Sequence, residues 1–219
     1  NELITLNDSC VDTYIHEDDK VVILFSGGVD STVLLFWALS EHLSVCALEF
    51  DYYRRPKIEK ERSNFLCNLV ETDLFSIKYP EVILVSTEKK KNPMFESQLL
   101  ESNIFYYVLA LNFAKANNIP FVLGGQILED WIDNSIGQTK PKFFERLNML
   151  AFDEFGIGNP KIIMPFHNLS KKEVVNLGKK LSVPFEITWS CLKDQKEPCN
   201  SCRACIERNT ALKEVNNDK

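Results

Sequence analysis

Two stretches of this 219-residue chain carry residue types whose spacing can do chemistry. The first is Ser26-Gly27-Gly28-Val29-Asp30-Ser31, between the apolar run Val21 to Phe25 and an apolar segment of helix length. A turn that leaves a buried strand and opens a helix presents unpaired backbone N–H groups and the positive end of the helix dipole, which together make an anion site. Gly27 and Gly28 let the backbone approach phosphate oxygens with no Cβ in the way, and Ser26 and Ser31 add hydroxyl donors. Asp30 alone would repel phosphate, so its expected role is to hold Mg²⁺ or to fix the loop through backbone hydrogen bonds. No Gly-Lys-Ser/Thr ending follows, so a Walker-type lysine clamp on a γ-phosphate is not expected.

The second stretch is Cys191-x7-Cys199-x2-Cys202-x2-Cys205, which gathers four of the seven cysteines into fifteen residues. Four thiolates in one short hairpin-like segment suit tetrahedral Zn²⁺. Pro198 and Asn200 favour the tight turn this requires, and Arg203 and Arg208 are close enough to offset the negative charge. An iron–sulfur cluster is the rival, since C-x2-C-x2-C also occurs in ferredoxin-type runs. Structural zinc is the expectation, because four ligands leave no open iron for chemistry.

The elements that position these residues alternate between short apolar runs and helix-length segments, the pattern of stacked β-α units around a parallel sheet. Strands are expected at Val21 to Phe25, Val45 to Phe50, Val82 to Ser86 and Phe121 to Leu123, the last ending at Gly124-Gly125. Helices are expected from Ser31 to Leu43, Lys57 to Val70, Leu99 to Ala116 and Lys142 to Phe155. The Leu99 segment is apolar nearly all round and reads as core. Ser170-Lys171-Lys172-Glu173 reads as a capping box that starts a helix running to about Leu181. Residues 1–187 are thus expected to form one α/β domain, and residues 188–219 a small metal-binding lobe.

Bulk composition narrows the partners. A net charge of -6 argues against gripping a nucleic-acid backbone, which needs surplus Lys and Arg, and favours a small-molecule substrate. No apolar run approaches the ~18 residues of a membrane span. The opening Asn1-Glu2-Leu3-Ile4-Thr5 lacks the order of a signal peptide, so a cytoplasmic location is expected.

The loop Ser26 to Ser31 resembles the SGGxDS signature of the PP-loop ATP pyrophosphatases. That resemblance implies a Rossmann-like, doubly wound, mostly parallel sheet and cleavage of ATP to AMP and pyrophosphate, with Asp30 and Ser31 catalytic. From about Val21 to Leu212 the chain resembles the QueC family, the 7-cyano-7-deazaguanine synthases of queuosine biosynthesis. The matching residues are Pro165-Phe166 with Leu169-Ser170-Lys171-Lys172-Glu173-Val174, then Val183-Pro184, Thr188-Trp189-Ser190-Cys191, the Cys triplet and Arg208. The resemblance carries the family's zinc ligands to Cys191, Cys199, Cys202 and Cys205. It places Asp51 and Tyr52 with the ATP loop, and Asn103, Gly125, Asp130 and Trp131 in the substrate pocket. It implies an AMP-forming ligase, commonly a homodimer, that activates the carboxylate of 7-carboxy-7-deazaguanine for attack by ammonia, giving the amide and then the nitrile.

The departures from the family fall where base and carboxylate should be read. Gly-Gln-Arg-His has become Tyr53-Arg54-Arg55-Pro56, the Arg of A-R-N is Ser102, and of Y-P-D-C-R-P-E-F only Lys140-Pro141-Lys142-Phe143 resembles the end. Arg54, as a substrate contact, and Lys140, as a third catalytic residue, are the cations that could replace a lost carboxylate partner, although Lys cannot copy an Arg fork. A diverged member would pass the activated deazaguanine to another amine, such as a protein N-terminus. A tRNA thiolase would need a reactive Cys near the loop, and Cys10, Cys46 and Cys67 lie in no such motif. A zinc-stapled nucleotide sensor is the non-enzymatic reading.

Overall fold

The structure is a computed structural model that describes residues 2–6, 13–52, 55–78, 103–132, 137–156 and 160–217. It opens with an antiparallel pair, β1 (Glu2–Leu6) and β2 (Thr13–His16), which the sequence pattern did not suggest. The main chain order is then β3 (Lys20–Leu24), α1 (Val29–Ser40), β4 (Ser44–Asp51), α2 (Lys57–Leu69) and β5 (Leu74–Lys78). After α3 (Asn103–Ala116) come β6 (Phe121–Leu123), α4 (Leu128–Ile132), a 3-10 turn (Gly137–Thr139), α5 (Pro141–Phe155) and β7 (Lys161–Ile163). Helices α6 (Lys171–Lys180) and α7 (Arg203–Asn217) complete the chain.

Five strands form one parallel sheet in the order β5-β4-β3-β6-β7. The chain builds outward from β3 to β5 and then returns to the other side of β3. The reversal leaves a crevice between the carboxyl ends of β3 and β6, where open α/β sheets bind ligands. Side chains alternate across the sheet with the period of two that a strand imposes. Val21 and Ile23 join one core with α1, α6 and α7, while Val22 joins Tyr107, Ala110, Phe144 and Leu147 of α3 and α5 on the opposite face. The sheet is therefore covered on both sides, as the uninterrupted apolar run of β3 requires.

Four expectations need correction or supplement. Strand β5 was not anticipated; as the outer strand among the described residues it mixes half-buried Leu74 and Ile77 with exposed Phe75, Ser76 and Lys78, and so lacks a buried-strand signature. The strand expected at Val82 to Ser86 lies outside the described residues. Helix α3 is not core all round: Tyr107, Ala110, Leu111 and Ala114 are buried at helical spacing, whereas Ile104 and Phe105 are exposed. The cysteine segment is no hairpin. It is an irregular loop running into the fifteen-residue helix α7, whose Ala211 and Val215 enter the same core as α1 and α6.

Candidate active site

The loop from Ser26 to Ser31 connects β3 to α1 as the sequence implied. Gly27 has φ +78, and a Cβ there would sit 3.1 Å from the backbone nitrogen of Ser63 on α2. The positive φ strains any other residue, and the close approach of α2 leaves a Cβ little room. The loop is folded by its own hydroxyls: Gly28 N–H donates to Ser26 Oγ at 3.2 Å, and Ser26 N–H to Ser31 Oγ at 3.3 Å. Helix α1 then begins at Val29 with Gly28 as its cap residue and no side chain on its first N–H groups. These donors face a cavity of about 430 Å³ lined by Ser26, Gly28, Val29, Asp30 and Ser31.

Asp30, in the first turn of α1, is bridged by Lys171, whose Nζ lies 2.7 Å from each carboxylate oxygen. Lys171 also lines the cavity. The sequence pattern places it in a capping box, and its position carries a further signal. A lysine at the first position of a helix opposes the dipole, so it needs a partner elsewhere. The box is present as expected, with Ser170 Oγ accepting from Glu173 N–H and the Glu173 carboxylate accepting from Ser170 N–H. The backbone N–H of Lys171 donates to Glu129 at 2.9 Å, tying α6 to α4.

A second feature missed in the sequence lies beneath the loop. Glu49 is buried in β4 and pairs with Arg55 at 2.7 Å; Arg55 also meets Glu59 at 2.8 Å. The Arg55 guanidinium donates to the Ser26 carbonyl at 3.4 Å and to Ser63 Oγ at 3.3 Å, and Ser63 donates to Glu49 at 2.6 Å. Burial works against the Arg55 charge, but the two glutamates outweigh it and hold its pKa above the ordinary value. An acid inside the apolar run Val45 to Phe50 is the signal for such a partner, because a buried carboxylate must be paired.

The remaining expected residues divide. Tyr52, Asn103 and Gly125 line the cavity. Asn103 Nδ2 donates to the Gln138 carbonyl at 3.1 Å. A Cβ on Gly125 would sit 3.3 Å from Ser31 N, so β6 lies directly against the start of α1. Asp51 is not in the cavity wall and pairs with Lys60 at 2.6 Å. Asp130 accepts from Ile127 N–H at 3.0 Å. Burial raises its carboxyl pKa above the usual carboxylate range; Asp30 adds to the rise and Lys171 opposes it. Trp131 stacks on His167 with centroids 4.5 Å apart, and its carbonyl accepts from Lys140 Nζ at 2.7 Å. Lys140 and Trp131 are therefore joined to each other beside the cavity and do not line it. Arg54 lies outside the described residues.

The four cysteine sulfurs all lie within 4.8 Å of one another. Zn–S bonds of about 2.3 Å place the corners of a tetrahedral site about 3.8 Å apart, so the set fits zinc with little movement. Backbone N–H groups point at the sulfurs: Cys199 N to Cys191 Sγ at 3.4 Å, and Cys202 N to Cys199 Sγ at 3.3 Å. Hydrogen bonds led by the Ser201 backbone N–H bring the Cys199 thiol down to about 5, while desolvation pushes Cys205 up to about 12. The segment leading to the cysteines also closes the cavity. Trp189 and Ser190 line it, and Trp189 N–H donates to the Gly27 carbonyl at 2.9 Å. The indole Nε1 in turn donates to the Cys191 carbonyl at 2.8 Å.

A family model described as "Queuosine biosynthesis protein QueC" matches residues 20–216. The chain belongs to the QueC family. It is 30% identical over 217 residues to the 7-cyano-7-deazaguanine synthase of Aquifex aeolicus, covering 90% of this chain and 98% of that one. It is 29% identical over 205 residues to the enzyme of the same name from Picrophilus torridus, covering 86% and 85%. Among solved structures, the NMN synthetase of Francisella tularensis aligns with a TM-score of 0.52 at 20% identity, over 92% of this chain and 86% of that one. The U34-tRNA thiolase NcsA of Methanococcus maripaludis aligns with a TM-score of 0.51 at 16% identity, over 92% and 66%. These two share the fold. The QueC family model and its relatives match nearly the whole described chain. No helix among the described residues is long and apolar enough to cross a membrane.

Proposed function

We propose that this chain is an ATP-dependent, AMP-forming ligase that converts 7-carboxy-7-deazaguanine and ammonia to 7-cyano-7-deazaguanine through the amide. The observation that carries this reading is one cavity in which a bare helix N-terminus, Asp30 and Lys171 meet the closing lobe of a QueC-family chain.

The bare N–H groups at the head of α1 bind the phosphates of ATP, and the ammonium of Lys171 adds a cation beside them. Asp30 holds that ammonium in place and is the nearest carboxylate for Mg²⁺. When bound, Mg²⁺ neutralises phosphate charge and zinc staples the lobe that carries Trp189. A carboxylate oxygen of the substrate attacks the α-phosphorus and pyrophosphate leaves. Ammonia then adds to the acyl carbon, loses a proton and expels AMP together with that oxygen. In the second round the amide oxygen attacks a second ATP. Loss of AMP and of the two remaining N–H protons leaves the nitrile. Asn103 and Gly125 line the cavity and are the expected contacts of the deazapurine, while Tyr52 lines it beside the ATP loop.

The test is incubation with ATP, Mg²⁺, 7-carboxy-7-deazaguanine and ammonium, read by mass spectrometry. AMP with amide and nitrile is expected, and Asp30→Ala should abolish both while leaving zinc content unchanged. Absence of AMP with the native chain contradicts the reading. AMP formed only when an amine other than ammonia is supplied would transfer it to a diverged ligase.

A further inference from the structure

The floor of the cavity holds a side chain that none of these roles uses. Gln126 follows Gly124-Gly125 at the carboxyl end of β6, on the crevice beside β3, and lines the cavity. The buried Tyr107 hydroxyl donates to its Oε1 at 2.7 Å. The other acceptor near that hydroxyl is Met164 Sδ at 3.8 Å, a weak one, so the proton belongs on the Gln126 oxygen. Gly124 makes the arrangement possible: a Cβ there would overlap Tyr107 Oη, Met164 Sδ and Gln126 Oε1. Burial also pushes the Tyr107 pKa upward, so the phenol keeps its proton at neutral pH.

With Oε1 fixed, Nε2 points away from Tyr107. It carries two N–H donors and has no partner among the described residues. The position is one residue from Gly125, which abuts Ser31 N at the head of α1. An acceptor oxygen must come within about 3–3.5 Å of the α-phosphorus to react, so it has to pass this crevice. The phosphates already have the loop N–H groups. The unused donors suit an oxygen of the other substrate.

We propose that Gln126, oriented by Tyr107, is the specificity-determining donor to the acyl oxygen of the acceptor substrate. This rests on the reading under Proposed function and adds to it the group that reads the reacting carboxylate. A neutral donor serves both rounds, because it bonds the carboxylate of the first and the amide oxygen of the second. A guanidinium there would favour the charged carboxylate over the neutral amide.

Steady-state kinetics of the full-length chain test this. Gln126→Glu keeps the size of the side chain and the acceptor for Tyr107, but replaces the donors with a negative charge. Its KM for the carboxylic acid and for the amide should rise at least about tenfold, with KM for ATP changed less than about twofold. Gln126→Leu should raise both acceptor KM values as well, and Tyr107→Phe, which only frees the amide, should raise them less. Unchanged acceptor KM values in Gln126→Glu and Gln126→Leu, or an equal rise for ATP, overturn the inference while native turnover stands. Failure of the native chain to form AMP with the acid overturns the reading beneath it and this inference together.

Discussion

In the proposed reaction Lys171 is the cation beside the phosphates, and its energetics separate that role from stability. The pair with Asp30 is partly open, with side chains 19% and 27% exposed, so solvent screens it and its net contribution to folding is at most about 1 kcal/mol. In the reaction the same ammonium faces phosphate charge that grows as pyrophosphate departs, where one well-placed donor is worth about 3 kcal/mol. Lys171→Met should therefore lower AMP formation by about a hundredfold or more while shifting the urea midpoint little. A variant with native activity would remove Lys171 from the mechanism. By contrast, Glu49 and Arg55 are buried, and loss of Arg55 leaves the Glu49 carboxylate without its cation in the core at a cost of about 3–5 kcal/mol, whereas Arg55 without Glu49 keeps Glu59. Arg55 and Glu59 line the same cavity as Asp30 and Lys171, so the buried pair supports the wall of the site as well as the core.

At the scale of elements, the capping box of α6 decides where Lys171 stands. Ser170 and Glu173 fix the first turn, and the helix delivers the ammonium to Asp30. The Glu173 carboxyl titrates below its ordinary 4.5 because the Ser170 hydroxyl, and then the Ser170 N–H, donate to the ionised form. A depressed folded pKa means the unfolded chain takes up the proton first as the medium is acidified. The contribution is complete above the unfolded value and disappears as pH falls through the folded one. Glu173→Gln should lower Tm near about pH 7, and the difference from the native chain should shrink below about pH 4. A Tm difference independent of pH would exclude this origin. The box was legible in the sequence because its parts lie three residues apart. The loop from Ser26 to Ser31 and the four cysteines were legible for the same reason. Edge strand β5 was not, because a strand exposed along much of its length needs no continuous apolar run.

Across the whole molecule, the cavity is assembled from pieces far apart in the chain. The loop comes from β3, Tyr107 from α3, Gln126 from the end of β6, Lys171 from α6 and Trp189 from the cysteine lobe. Each is ordinary in its own sequence neighbourhood. Only the sheet order, which reverses between β3 and β6, makes them neighbours. That is why the chemistry of phosphate and metal could be read from local spacing, whereas the groups facing the acceptor could not. Lys140 shows the converse: the pattern suggested a pocket cation, and the fold holds its ammonium on the Trp131 carbonyl. The cysteine lobe is likewise part of the site's wall, since Trp189 joins the Gly27 carbonyl to the segment carrying Cys191.

In the proposed reaction AMP is transferred to the oxygen of a substrate carboxylate. Substrate acid labelled with ¹⁸O in its carboxyl group, incubated with ATP and ammonium, tests it directly. AMP should carry one ¹⁸O atom for each amide formed, and a second labelled AMP should appear for each nitrile. Product formed with unlabelled AMP, or AMP released with the label retained in the acid, would contradict it.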